Sequence, residues 1–270
     1  MLVHVGCEFV QQALEPTHAI VQVEPRPDGV HHVVDASLDS ATEATSSTYL
    51  DGYGNLCRRL TFPPGQSVMR FDAHVDVPPS PDPADPSAVE IAPDALPNEV
   101  LRYTLPSRFC PSDKLADAAR QLFFTHPPGW GRVQSVVDWV HGSINFAYGS
   151  SGPMTDALDV FNTRQGVCRD FAHLGVAMVR ALNIPARYAF GYLPDIDVPP
   201  NPIPMDFYAW MEVYLGGRWW TFDPRNGERR KGRVLIGRGL DALDVAMVSS
   251  YGQLQLDSMT VWAEESNGAP

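Results

Sequence analysis

Cysteine is scarce and scattered in this chain: Cys7, Cys57, Cys110 and Cys168 are the four among its 270 residues. No two have the CxxC spacing of a zinc or redox site, and their density is far below that of a disulfide-stapled secreted domain. Three of them read as small buried side chains. Basic charge is also in short supply, with 20 Lys and Arg against 32 Asp and Glu, a formal net charge of −12 at pH 7. A sequence-independent hold on nucleic acid or an anionic membrane needs clustered cations, so neither partner is expected. The one basic run, RNGERRKGRV from Arg225 to Val234, reads as a solvated loop. There is no apolar run long enough to span a bilayer, and the opening MLVHVGCEFVQQALEP lacks the basic and apolar segments of an export signal. A cytoplasmic location is the expectation. No carboxylate cluster has calcium-loop spacing, so no metal or other cofactor is expected either.

What the chain does have is apolar material, 44% of its residues, enough to bury one large core or two modest ones. The first part is written in short strand-like runs, LVHVGCEFV, AIVQVEP, VHHVVDASL, NLCRRLTF and SVMRFDAHVDV, separated by Pro, Gly and Asp. DGYGN, from Asp51 to Asn55, is the clearest turn. Residues 79–97 then shift to Pro, Asp, Ala and Ser, a composition that resists both helix and ladder and suits an extended linker. Beyond it the apolar period lengthens toward four, which predicts helices over Lys114 to Phe124 and Val133 to Ile144. The chain therefore reads as α+β: an all-β domain over 1–78, a Pro-rich linker over 79–97, and a domain over 98–270 in which a helix packs on an antiparallel sheet.

That helix is the segment VCRDFAHLGVAMVRALNIP. Phe171, Leu174, Met178 and Leu182 form its apolar stripe, and Arg169, His173 and Arg180 fall on a polar side. Cys168 opens it, where unpaired N–H groups and the helix dipole favour a thiolate. Forty residues on, EVYL-GG-RWWTFDP signals a two-residue hairpin in which Leu215 opposes Arg218. That register sets Trp210 across from Asp223 and Tyr208 diagonal to it on the same face, about 7–8 Å apart and within reach of a long ring.

The runs RQGVCRDFAHLGVAMVRALNIPARYAFGYL and MDFYAWMEVYLGGRWWTFDPRN resemble the core of the bacterial transglutaminase-like superfamily, whose members have the papain-like cysteine-peptidase fold. The β unit with YLDGYGNLCRRLTF is similar to the N-terminal domain that these proteins often carry. The resemblance implies a nucleophilic cysteine at Cys168, an orienting acid at Asp223, and a base at the position of Tyr208, where the family has histidine. Trp210 is then a candidate for lining a substrate groove. The substrate class implied is an amide bond of a peptide or protein; oligomeric state is left open.

A histidine with reference pKa about 6.5 can take and return protons near neutrality, whereas tyrosine, at about 10, is protonated there and can only donate. A Cys168–Tyr208–Asp223 set is thus expected to act slowly in hydrolysis or acyl transfer, with deacylation suffering most. The alternative is a silent module that binds peptide or protein partners. In that case Tyr208 is a core aromatic bonded to Asp223, and Asp223 a turn former before Pro224. His173 lies about 140° around the helix from Cys168 and points elsewhere. His126 and His141 cannot be positioned from sequence. The loop LPDIDVPPNPIPM, from Leu193 to Met205, reads as a groove wall or lid.

Overall fold

The structure is a computed structural model and describes residues 1–40, 46–199 and 203–266. Its N-terminal half is built from β1 (Leu2–Ala13), β2 (Thr17–Val21), β3 (His32–Ser40), β4 (Ser47–Leu50), β5 (Leu56–Phe62) and β6 (Gly65–Asp76). Strands β1 and β6 alternate. Val3, Val5, Cys7 and Phe9 of β1 and Met69, Phe71, Ala73 and Val75 of β6 face inward and are buried, while the residues between them are more exposed, except Gly6, which lies against Trp262. Asp51 ties the predicted turn together by accepting the N–H groups of Tyr53 and Asn55, each at 2.8 Å.

The second half contains α1 (Asn98–Leu101), α2 (Ala116–Phe123), α3 (Trp130–Ser143), β7 (Asn145–Phe146), α4 (Ala157–Thr163), β8 (Gln165–Gly166) and α5 (Cys168–Ala181). Then follow β9 (Ala186–Tyr192), β10 (Tyr208–Leu215), β11 (Arg218–Phe222), β12 (Val234–Gly239), β13 (Val248–Ser250) and β14 (Leu254–Glu265). The antiparallel sheet β11-β10-β9-β12 packs against α5, with Phe171, Leu174 and Met178 meeting Met211, Val213 and Leu215 in one buried cluster. The hairpin has the expected register, Leu215 opposite Arg218, and Gly216 and Gly217 take φ of 59° and 88°, the pair of positive angles this turn requires. A mixed fold with an N-terminal β unit and a helix on an antiparallel sheet is thus what the chain adopts.

Three expectations need correction. The second domain does not run to residue 270: β14 returns to pair with β1 in the sheet β14-β1-β6-β3, and β13 joins β2 in β13-β2-β5-β4. The β unit is therefore closed by both ends of the chain, and its core is continuous with Tyr188, Phe190 and Tyr192 of β9. Residues 79–97 are docked and do not hang free. Ala88 O accepts from Trp130 N–H and Val89 O from Gly216 N–H, both at 2.9 Å, and Glu90 pairs with Arg132 at 2.8 Å. Finally, α5 has no solvated polar side. His173 and Arg180 are buried, and Arg180 is satisfied by the carbonyls of Leu105, Ala186 and Leu240 and by Ser107 Oγ. Among the described residues no helix is long and apolar enough to cross a membrane.

Candidate active site

Cys168 sits at the first position of α5, facing the start of β10. Its Sγ lies 3.7 Å from the carbonyl oxygen of Phe207 and forms part of a cleft of about 410 Å³. Phe146, Tyr148 and Ser151, Leu193, Asp195 and residues Ile203 to Asp206, and Tyr208, Arg225 and Asn226 line the cleft. The Pro-rich loop is thus a groove wall over its described part, with residues 200–202 outside the description. The helix start is set locally: Val167 N–H donates to Asp170 Oδ2 at 2.8 Å, and that carboxylate caps the first turn. Gly166 leaves room for it, since a Cβ there would stand 2.7 Å from that of Asp170.

Tyr208 and Asp223 meet as the cross-strand diagonal predicts, the phenol donating to Oδ1 at 3.3 Å. Tyr208 shares the cleft with Cys168. Asp223 is held from four directions. Oδ1 accepts from the N–H groups of Arg225 and Asn226 at 3.2 and 2.9 Å, and Oδ2 from Asn226 Nδ2 at 3.0 Å and Arg233 Nη2 at 2.7 Å. Arg233 also reaches Asp82 at 2.8 Å, so a buried guanidinium joins two carboxylates. Burial alone would lower the pKa of Arg233, but Asp82 and Asp223 outweigh it and hold it above its ordinary value.

The electrostatics run against a resting thiolate. Burial, then the negative charge of Asp206, pushes the Cys168 thiol up to about 12, and Arg225 and the N–H groups of Ala209 and Arg169 pull the other way without prevailing. The thiolate anticipated from the helix start is therefore not the ground state. Burial and then Asp223 likewise raise the Tyr208 phenol well above its usual value, despite Arg225. Burial also raises Asp206, partly offset by the Phe207 N–H it accepts at 2.7 Å.

No histidine lines this cleft among the described residues. His141 bonds the carbonyl of Arg225 at 2.8 Å, His126 packs beside Phe123, and His173 is stacked on Phe109 with its Nε2 accepting from Ala242 N–H at 3.1 Å. Burial drives His173 down to about 3, so it is neutral. Trp210 requires a correction: it is 2% exposed, its ring crosses Gly191 and lies beneath Arg233 at 4.9 Å, and it packs with Ala189 and Leu235 away from the cleft. It is a packing residue, because its ring lies across β9 against Leu235 and under Arg233.

The basic run 225–234 is the other correction. Arg225 lines the cleft, Arg230 is buried against Pro194 O and Asp195, and Arg233 is buried between Asp82 and Asp223. Asp206 was also unforeseen, although it stands two residues before Tyr208. Another hollow, of about 300 Å³ on β2 and β5, is lined by His18, Arg59 and Tyr251 and holds neither thiol nor carboxylate. Among the described residues no cluster of His, Cys, Asp and Glu is placed to hold a metal ion.

Comparison with known proteins agrees with this geometry. A family profile described as the transglutaminase-like superfamily matches residues 117–224. The crystal structure of a "putative cysteine protease" from Cytophaga hutchinsonii superposes with a TM-score of 0.85 at 31% identity, covering 100% of this chain and 93% of that one. An uncharacterised protein of Mycobacterium tuberculosis is 31% identical over 226 residues, 75% of this chain and 70% of that protein. One from Mycobacterium leprae is 32% identical over 168 residues, 59% of this chain and 58% of the relative's own length. The chain belongs to the transglutaminase-like superfamily and has its papain-like fold.

Proposed function

We propose that the protein is a slow thiol-dependent acyl-transfer catalyst, hydrolysing or transferring the acyl group of amide bonds in a peptide or protein, with Cys168 as nucleophile and Tyr208 and Asp223 as its partners. The observation that carries this reading is the convergence of the Cys168 thiol and the Tyr208–Asp223 pair on one open cleft. Tyr208 is neutral and has one O–H, held by Asp223 at rest; turned from Asp223 to the substrate, it donates to the charge that develops there, and it does not take the thiol's proton. The backbone N–H of Cys168, in the first turn of α5 where N–H groups have no intrahelical acceptor, supplies a second donor toward the oxyanion. The thiol loses its proton to solvent hydroxide, the thiolate adds to the carbonyl carbon, and the C–N bond breaks as the leaving amine takes a proton from solvent; a thiol near 12 makes this slow, and activating water without a base is slower still, so the acyl-enzyme accumulates. Four unpaired cysteines suit a reducing compartment, and a cytoplasmic setting is part of the proposal.

A second reading has its own support. A thiol held protonated in a cleft without an imidazole is what a silent binding module would retain. Intact-mass spectrometry after exposure to an activated acyl ester separates the two. The catalytic reading expects one acyl group per chain, absent in Cys168→Ala and lost over minutes to hours. Absence of any Cys168-dependent adduct would leave only the binding module.

A further inference from the structure

We infer that Arg225 is an anion-binding residue of the Cys168 cleft, selecting acyl substrates that carry a carboxylate beside the reacting carbonyl. This inference names the substrate class for the site proposed above and rests on Cys168 marking that site. The guanidinium is fixed in place by the protein: it lies 4.2 Å above the Phe146 ring and 5.8 Å from the centre of Tyr208, and Nη1 donates to Asn226 Oδ1 at 3.1 Å. The backbone is pinned too, with Arg225 N–H on Asp223 and the Arg225 carbonyl on His141. Its Nε and Nη2 have no hydrogen-bond partner among the described residues, and no carboxylate there lies within ion-pair distance. The other cleft arginine, Arg230, is already committed to Asp195 and Pro194 O.

An oriented guanidinium with open N–H groups, half exposed and backed by an aromatic face, suits a carboxylate better than water does. Its charge reaches the reacting atoms, because it favours the ionised forms of both Cys168 and Tyr208. Asp206, which lines the same cleft, opposes it with no ion pair between them, and burial weakens that opposition by favouring the neutral acid. The overall charge of −12 therefore does not describe the cleft. The carboxylate can be a chain terminus or an acidic side chain, and the two are separable by experiment.

The test uses alkylation of Cys168 and so needs no turnover. At about pH 9, where thiolate is abundant enough to measure, rates with iodoacetate and iodoacetamide are compared by peptide mapping. The iodoacetate-to-iodoacetamide ratio is expected to fall about tenfold in Arg225→Gln, the scale of one charge-assisted contact, to fall less in Arg225→Lys, which keeps the charge without the planar fork, and to rise in Asp206→Asn. Protection against iodoacetamide is then measured with acetyl-glycyl-glutamine amide, acetyl-glycyl-glutamate amide and acetyl-glycyl-glutamine. Protection by the second assigns a side-chain carboxylate, by the third a terminal one. A ratio that stays within about twofold in Arg225→Gln, with equal protection by the neutral peptide, overturns the inference. No Cys168-dependent acyl adduct from the activated ester, with the ratio still dependent on Arg225, would count against catalysis and leave the anion site standing.

Discussion

Tyr208 donates its phenolic proton to Asp223 across 3.3 Å, at one end of the cleft that Cys168 also lines. Asp223 is fixed by Asn226 and Arg233, and Tyr208 shares the cleft with Cys168, so under the proposed function an imidazole at position 208 would find its carboxylate in place. Tyr208→His should then raise alkylation of Cys168 by iodoacetamide near pH 7 by about tenfold or more, since an imidazolium neighbour lowers a thiol pKa. Amide turnover should rise by about 10²–10⁴, the range for a positioned acid–base group. An unchanged alkylation rate in a folded Tyr208→His protein would mean that position 208 does not face the sulfur.

The pH dependence of that alkylation is a separate check on the resting state. With the Cys168 thiol pushed up to about 12 by burial and Asp206, the thiolate fraction climbs tenfold per pH unit throughout the neutral and mildly alkaline range. The rate should therefore keep rising between about pH 7 and pH 10, without levelling off. Asp206→Asn removes the charge that opposes the thiolate and should increase the rate at every pH in that window. A plateau beginning near neutrality would show an activated thiol and contradict the electrostatics described here.

The parts of this site that were legible in the sequence are the parts fixed locally. A Gly-Gly turn sets the register that brings Tyr208 toward Asp223, and a helix that begins at Cys168 places its sulfur at the start of β10. What was illegible depends on partners far away in the chain. Whether Arg233 is solvated or buried is decided by Asp82, which lies in a segment that reads as a free linker, and nothing in RNGERRKGRV records that pairing. The return of β14 to β1 joins residues some 260 positions apart, and alternation within a strand gives its faces without naming its neighbour. Trp210 was placed on the correct face, but sequence could not show that β12 and Arg233 cover it.

Removing Arg233 tests how the docked segment supports the site. Its side chain is buried between Asp82 and Asp223, and Arg233→Met leaves two carboxylates with no cation between them. A loss of about 3–5 kcal/mol is expected, as for breaking other buried ion pairs, read by denaturant unfolding. Asp82→Asn should cost less, because Asp223 keeps the cation. Were Arg233→Met neutral, the triad would be exchanging water for protein at no net gain.

His4 carries the clearest pH-dependent contribution to stability. Its Nε2 meets Asp72 at 2.9 Å and its Nδ1 meets Glu264 at 3.3 Å, so both ring nitrogens face carboxylates, while His74 stacks on it at 4.9 Å and Arg70 stands on the other side of Asp72. Burial alone would lower its pKa, but the hydrogen bonds and charges of Asp72 and Glu264 raise it above 6.5. A raised histidine adds stability that is complete below its unfolded pKa and vanishes as pH climbs through the folded value. The pair Glu264–His4 ties β14 to β1, so the effect bears on closure of the β unit by the C-terminal strand. His4→Gln should therefore cost more at about pH 5.5 than at about pH 8.5, by less than about 1 kcal/mol given the exposure of Glu264. Salt should shrink the difference, because both carboxylates are reached by solvent. A destabilisation that is the same at both pH values would show that His4 holds the strands by packing alone.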